Sequence, residues 1–260
     1  MAGILISNGL TEADQCSDGG LLSSGGASAC GLEASRSIVI EWQNRFDNLI
    51  INTSQSRGVP AQLLKNLFAV ESQFWPGIYE GDQEVGLGQL TENGADTTLL
   101  WNSDFYTQFC PLVLQQGVCA KGYVHLLPGE QAMLRGALVL RANASCAGCP
   151  LGIDLSRADF SIEIFAETLL ANCEQVGRMV RNTTQEQPGR VVEYEDLWRF
   201  TLSNYNAGPG CLSMALRSAW DKTGQLTWTT VSDQFSPVCR PTVEYVERIS
   251  HPPVVNAVES

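Results

Sequence analysis

The chain has 260 residues, 44% of them hydrophobic, which is enough for one large domain or two small ones. Its 16 basic and 28 acidic residues leave a net charge of -12, which argues against nucleic acid as a partner because binding to phosphates needs clustered Lys and Arg. No apolar run approaches the roughly 18 residues of a transmembrane helix, so we expect no membrane span.

The N-terminal segment is rich in Gly, Ser and Ala between residues 8 and 34 and contains Cys16 and Cys30. This composition predicts a leader or linker over 1–34, which a disulfide could close, with ordered structure beginning near Ser35. The first residues lack the charged region and the long apolar region of a signal peptide. We therefore expect either that a signal has been removed or that the chain is a segment of a longer protein.

Helical spacing of apolar residues follows this segment and recurs along most of the chain. It predicts helices at 38–51, 59–72, 129–143, 159–179 and 193–203. Strand-like alternation is limited to short stretches such as 226–231, and the run Asn206–Gly210 should end the last of these helices. The chain is thus predicted to be mainly α, with a C-terminal tail at 251–260.

The nine cysteines lie mostly in loop-like surroundings, which is typical of an oxidised, exported protein: periplasmic, cell-wall or extracellular. Two pairs are close enough in sequence to be candidate disulfides: Cys110 with Cys119, and Cys211 with Cys239. Cys146 and Cys149 have the spacing of half a zinc site, but no second such pair accompanies them, so we predict no metal. Cys173 differs because it lies inside a helical pattern.

Glu71 is the residue on which the functional hypothesis depends. It continues the apolar row of Leu64, Leu67 and Phe68 at three- and four-residue steps, so its carboxyl should face inward near the end of a helix. Burial disfavours the charged form, and we expect it to raise the pKa of Glu71 toward the range that a general acid needs. The alternative is a helix-end glutamate that faces solvent.

Two later motifs accompany this helix. Residues 71–76 read ESQFWP, residues 86–90 read GLGQL and begin 15 residues after Glu71, and residues 204–208 read NYNAG. The three resemble the motifs of the Slt-type lytic transglycosylases and the related goose-type lysozymes: Glu-Ser-x-Phe-x-Pro, then Gly-Leu-Met-Gln, then Ala-Tyr-Asn-Ala-Gly. A weaker match begins at Ser161-Ile162, where the family has a helix that starts Asn-Ile. The resemblance covers about residues 55–250.

This resemblance implies a lysozyme-like helical domain at 35–250, with a groove between helices and a disulfide-containing insertion at about 94–150. It also implies cleavage of the β-1,4 bond between N-acetylmuramic acid and N-acetylglucosamine in peptidoglycan, without a cofactor. Glu71 would protonate the leaving oxygen and then act as base for the sugar's own 6-hydroxyl, which gives a 1,6-anhydro product. Substrate-binding roles carry over to Ser72, Gly86, Leu87, Gln89, Tyr205 and Asn206.

The acids after Glu71 depart from the family pattern. Glu80 and Glu84 stand where the family usually has Ser and Ala, and Asp82 lies between them. One of the three could position a water molecule as general base, which would make the protein a hydrolase of the goose type. The alternative interpretation is that all three are loop carboxylates that face solvent and have no catalytic role.

A third possibility is a non-catalytic module of the same fold that binds glycan or has a structural role. Trp75, Trp101 and Trp198 could stack on sugars, although any one of them could equally pack in the core. Cell-wall polymers are largely anionic, so a net charge of -12 opposes binding over long range. We therefore expect wall binding to come from a local groove or from another part of a larger chain or of a secretion or cell-wall assembly.

Overall fold

The computed structural model describes residues 1–78, 84–149 and 151–251. The described part is mainly helical, which confirms the predicted class, and its β structure is limited to isolated bridges. Its thirteen α-helices are α1 (Ala2–Ser7), α2 (Ala29–Asn44), α3 (Asp47–Arg57), α4 (Ala61–Glu71), α5 (Glu92–Trp101), α6 (Ser103–Phe109), α7 (Gln116–Cys119), α8 (Pro128–Ala142), α9 (Ala158–Thr184), α10 (Pro188–Val191), α11 (Tyr194–Thr223), α12 (Trp228–Ser232) and α13 (Pro241–Ser250).

The chain divides into two compact units. Unit 1 contains Met1–Leu90 and Arg141–Glu163, and unit 2 contains Thr91–Leu140 and Ile164–Ser260. Residues 35–250, which the sequence predicts as one domain with an insertion, therefore contribute to both units. Of the predicted tail at 251–260, only His251 lies within the described residues.

The N-terminal segment of unit 1 is more ordered than a leader or linker. It contains α1, and α2 already begins at Ala29, with the Ser28 hydroxyl accepting from the Gly31 N–H at 3.2 Å. A disulfide joins Cys16 to Cys30, as predicted. Glycine permits close backbone contact here, since a Cβ on Gly31 would lie 1.9 Å from the Gly20 carbonyl oxygen. Ordered structure therefore starts well before the predicted boundary at Ser35.

The first predicted helix, 38–51, is two helices that break at residues 45 and 46. Lys65 of α4 lies beside the break, where its ammonium group donates to Asp47 at 2.7 Å and to Asn44 at 3.0 Å. Asn44 is the last residue of α2 and Asp47 is the first residue of α3, so a single cation bonds to both sides of the break. The apolar spacing is kept across it, because Trp42 and Phe46 are both buried.

The last long helix of unit 2, α11, extends beyond its predicted end. Gly208 has φ 79° and ψ 168°, which breaks the helical conformation as predicted, but the chain resumes a helix at once and continues to Thr223. The Cys211–Cys239 disulfide fixes the resumed half. The strand-like stretch 226–231 is also helical, since Thr227 and Thr230 form a capping box at the start of α12.

Four disulfides are formed: Cys16–Cys30, Cys110–Cys119, Cys146–Cys149 and Cys211–Cys239. Both candidate pairs are confirmed, and the cysteines with zinc-like spacing bond to each other. Cys173, inside α9, is free. This number of disulfides is consistent with an oxidising, exported environment. Within the described ranges, no helix is both long and apolar enough to cross a membrane.

Candidate functional site

Glu71 is the last residue of α4, the helix predicted from the apolar row. Leu64, Leu67 and Phe68 of that row are fully buried. Glu71 itself is half-buried, so its carboxyl lies at the edge of the core of unit 1 and keeps contact with solvent. A carboxylate in this position can reach a bound substrate without being sealed inside the protein.

The chain turns sharply after Glu71 through two strained residues. Gln73 has φ 49° and Phe74 has φ 65°, the left-handed region that residues other than glycine seldom occupy. The N–H groups of Ser72 and Phe74 both donate to the Phe68 carbonyl, at 3.2 Å and 3.1 Å. The indole of Trp42 donates to the Phe74 carbonyl at 2.9 Å, which helps to hold the turn in this conformation.

The GLGQ motif forms a second tight turn in unit 1. Val85 and Leu90 exchange backbone hydrogen bonds of 3.1 Å and 2.7 Å, so the motif closes a small hairpin. Gly86 has φ 77° and Gln89 has φ 59°. The Gln89 side-chain amide donates to the Gly86 carbonyl at 2.8 Å. Its other end, the Oε1 oxygen, is buried and accepts no hydrogen bond from the described residues.

The buried backbone of Leu87 joins the two turns. The Ser72 hydroxyl donates to the Leu87 carbonyl at 2.6 Å, and the Leu87 N–H donates to the Ser161 hydroxyl oxygen at 3.0 Å. Ser72, Leu87 and Ser161 are all fully buried. The residue after Glu71 is therefore bonded directly to the GLGQ turn, 15 positions away in the sequence.

The loop at residues 144–154 supports the same region from unit 1. The Ala144 N–H donates to the Pro76 carbonyl at 3.1 Å, and the Ser145 hydroxyl accepts from the Ile78 N–H at 3.0 Å. The carbonyl of Gly77, between Pro76 and Ile78, accepts from the Gly86 N–H at 3.0 Å. Residues 76–78, which follow the first turn, are thus bonded both to this loop and to Gly86.

The predicted residues of this site differ in accessibility. The side chains of Ser72, Leu87 and Gln89 are buried, and Ser72 uses its hydroxyl within the protein. Glu84 is exposed, as expected if it is a solvated loop carboxylate without a catalytic role. Glu80 and Asp82 lie outside the described residues. Ser161 was not among the residues predicted for the site. The only sign of it in the sequence was the weak family match that begins at Ser161-Ile162, near the start of α9.

Tyr205 and Asn206 lie in unit 2, on α11 just before the break at Gly208. Tyr205 is half-buried and Asn206 is exposed. Their neighbour Asn204 is buried instead, and its amide donates to Asn172 and to Gln175, both at 2.7 Å. The position of this motif beside a helix break agrees with the expected loop-like end, and its assignment to the Glu71 site stays a prediction.

Comparison of the chain with protein-family models, with curated proteins and with solved structures finds no match. In the part of the chain that the structure describes, no group of three or more His, Cys, Asp or Glu side chains could hold a metal ion.

Proposed function

We propose that this protein is a peptidoglycan lytic transglycosylase with Glu71 as its general acid and base. The observation that carries the proposal is the 2.6 Å hydrogen bond from Ser72 to the Leu87 carbonyl. The resemblance pairs Glu-Ser with Gly-Leu-x-Gln as two parts of one site, and this bond brings them together. Because both residues are fully buried, the bond fixes the two turns to each other inside unit 1.

The half-buried position of Glu71 supports the chemistry. Cleavage of a glycosidic bond needs a proton on the leaving oxygen while positive charge develops on the ring, so a single carboxyl must reach the scissile bond. The acetamido group of the N-acetylmuramoyl residue then attacks the anomeric carbon. Glu71 next takes the proton of the 6-hydroxyl, whose oxygen bonds to the anomeric carbon, displaces the acetamido oxygen and closes the 1,6-anhydro ring. No second carboxylate is required by this route.

The surrounding residues have distinct roles in the proposal. Gly86 and Gly88 shape the tight turn, in which Gly86 has φ 77°, a conformation that glycine adopts without a steric penalty. Gln89 supports the turn through its amide, which donates to the Gly86 carbonyl at 2.8 Å, while its Oε1 oxygen is buried. Ser72 holds the turn and does not contact substrate.

Purified protein incubated with peptidoglycan sacculi tests the proposal. We expect soluble muropeptides that end in 1,6-anhydro-muramic acid by mass spectrometry. Glu71→Gln should reduce their release by about 100-fold or more, which is the usual contribution of a general acid. Glu41→Gln, the same change at an exposed position of α2, is the matched control and should leave the rate unchanged.

The competing functions give different products. A goose-type hydrolase would release reducing-end muramic acid only, and loss of activity in Glu84→Gln would then identify the exposed acid as its general base. Binding of sacculi without any release would indicate a non-catalytic glycan-binding or structural module. Full activity in Glu71→Gln would refute the assignment of the acid.

The proposed substrate also fits a location outside the cytoplasm. Four disulfides suit the periplasm, the cell wall or the extracellular space, which are the compartments that contain peptidoglycan. Because the chain carries a net charge of -12, attraction to an anionic wall must be local or must come from a partner assembly.

A further inference from the structure

The backbone N–H and carbonyl of Leu87 are both bonded to serine hydroxyls. Its carbonyl accepts from Ser72 at 2.6 Å, and its N–H donates to Ser161 at 3.0 Å. Ser72, Leu87 and Ser161 are each fully buried, so bulk solvent does not reach them. Neither hydrogen bond can therefore be replaced by solvent if its serine is lost.

The two serines belong to different elements of unit 1. Ser72 caps the end of α4, directly after Glu71, and Ser161 lies in the first turn of α9. The backbone of Leu87 thus links the start of one helix to the end of another. Because both polar backbone atoms of Leu87 are bonded to these two hydroxyls, the Gly86–Gln89 turn is held in position relative to Ser72 and Ser161.

We infer that Ser161 is a positioning residue of this site, and that the pair Ser72 and Ser161 holds the Gly86–Gln89 turn at its working distance from Glu71. The inference rests on the proposed function for its catalytic consequence. Ser161 does not touch the substrate in this scheme. It acts through Leu87, and its loss lets the turn move relative to the acid.

Ser161→Ala removes the acceptor and leaves the Leu87 N–H buried without a partner. The matched control is Ser35→Ala, also fully buried and also in unit 1. The Ser35 hydroxyl donates at 2.7 Å to the Gly31 carbonyl within its own helix, so its removal does not disturb the turn. The two variants make the same chemical change at equal burial.

The first measurement is hydrogen exchange of the Leu87 amide by NMR, which needs no substrate. We expect Ser161→Ala to reduce the protection of this amide by about tenfold or more, and Ser35→Ala to leave it unchanged. Equal protection in the wild type and in Ser161→Ala would overturn the inference. If the alanine variant does not fold, Ser161→Cys keeps the side-chain volume with a weaker acceptor, and the same comparison decides.

The second measurement is turnover of peptidoglycan fragments. A misplaced turn should lower kcat by roughly 10- to 100-fold with little change in KM, because reaction geometry is lost before binding is lost. An unchanged kcat in a Ser161→Ala protein that has lost Leu87 protection would refute the positioning role. If the wild type cleaves nothing, the proposed function fails by itself, while the exchange result still decides whether Ser161 fixes the turn.

Discussion

The four disulfides differ in the length of chain that they enclose, and this difference predicts unequal contributions to stability. Cys211–Cys239 spans 28 residues and fixes the half of α11 that follows the Gly208 break. Cys146–Cys149 spans only 3 residues within one loop. With the chain-entropy relation for loop closure, the first should stabilise the fold by about 3.6 kcal/mol and the second by about 1.6 kcal/mol.

The perturbation is replacement of each pair by alanine, one pair at a time. Unfolding in urea is followed by far-UV circular dichroism under oxidising conditions. For a denaturant slope of about 3 kcal/mol per molar urea, the midpoint should fall by about 1.2 M without Cys211–Cys239 and by about 0.5 M without Cys146–Cys149. The two bonds lie in different units, which could unfold in separate transitions. Each midpoint shift is therefore measured on the transition of the unit that contains the removed bond.

The order of the two shifts is the decisive result. Equal shifts, or a larger shift for the short loop, would refute the loop-length reasoning and indicate that local packing decides these energies. A protein without Cys211–Cys239 that keeps its full midpoint would show that the resumed half of α11 is held by its side-chain packing alone. Fully buried Leu212, Ala215 and Leu216 would be the residues responsible.

Three further outcomes are expected from the structure. Ser72→Ala should reduce the free energy of unfolding by about 1–3 kcal/mol in urea titration, because it leaves the Leu87 carbonyl buried without a donor. Gly31→Ala should lose at least about 1–3 kcal/mol by the same measurement, since the new Cβ would lie 1.9 Å from the Gly20 carbonyl oxygen, and a stability equal to wild type would refute that contact. Burial raises the pKa of the Cys173 thiol, so this group stabilises the fold fully below its unfolded pKa of about 8.5 and progressively less as the pH rises above it. The free energy of unfolding of Cys173→Ala should therefore fall less steeply than that of the wild type between about pH 8 and about pH 10, and an equal slope would refute the burial of the thiol.

The elements that the sequence predicted well are those whose cause is local. The α4 helix follows from apolar residues at helical steps, and its observed span of Ala61–Glu71 lies within the predicted 59–72. The break at Gly208 follows from glycine and proline in succession. The candidate disulfides follow from short separations along the chain. Each of these depends on residues within a few tens of positions of one another.

The features that were missed depend on contacts that spacing does not reveal. The break between α2 and α3 is bonded to Lys65, about 20 residues further along. The stretch 226–231 alternates in a way that suits a strand, yet the capping box of Thr227 and Thr230 makes it helical. In the candidate site, Ser161 lies 74 residues from Leu87, and a lone serine carries no pattern of its own.

Backbone strain distinguishes a functional turn from a simple connection between helices. In the described residues, four residues other than glycine have positive φ: Gln73, Phe74, Gln89 and Gln185. Three of the four lie in the two turns beside Glu71, where each costs of order 1–3 kcal/mol. A plain connection could relieve that cost with glycine. Strain that is kept in both turns, which the bond from Ser72 to the buried Leu87 carbonyl joins, favours a site in which geometry matters more than stability.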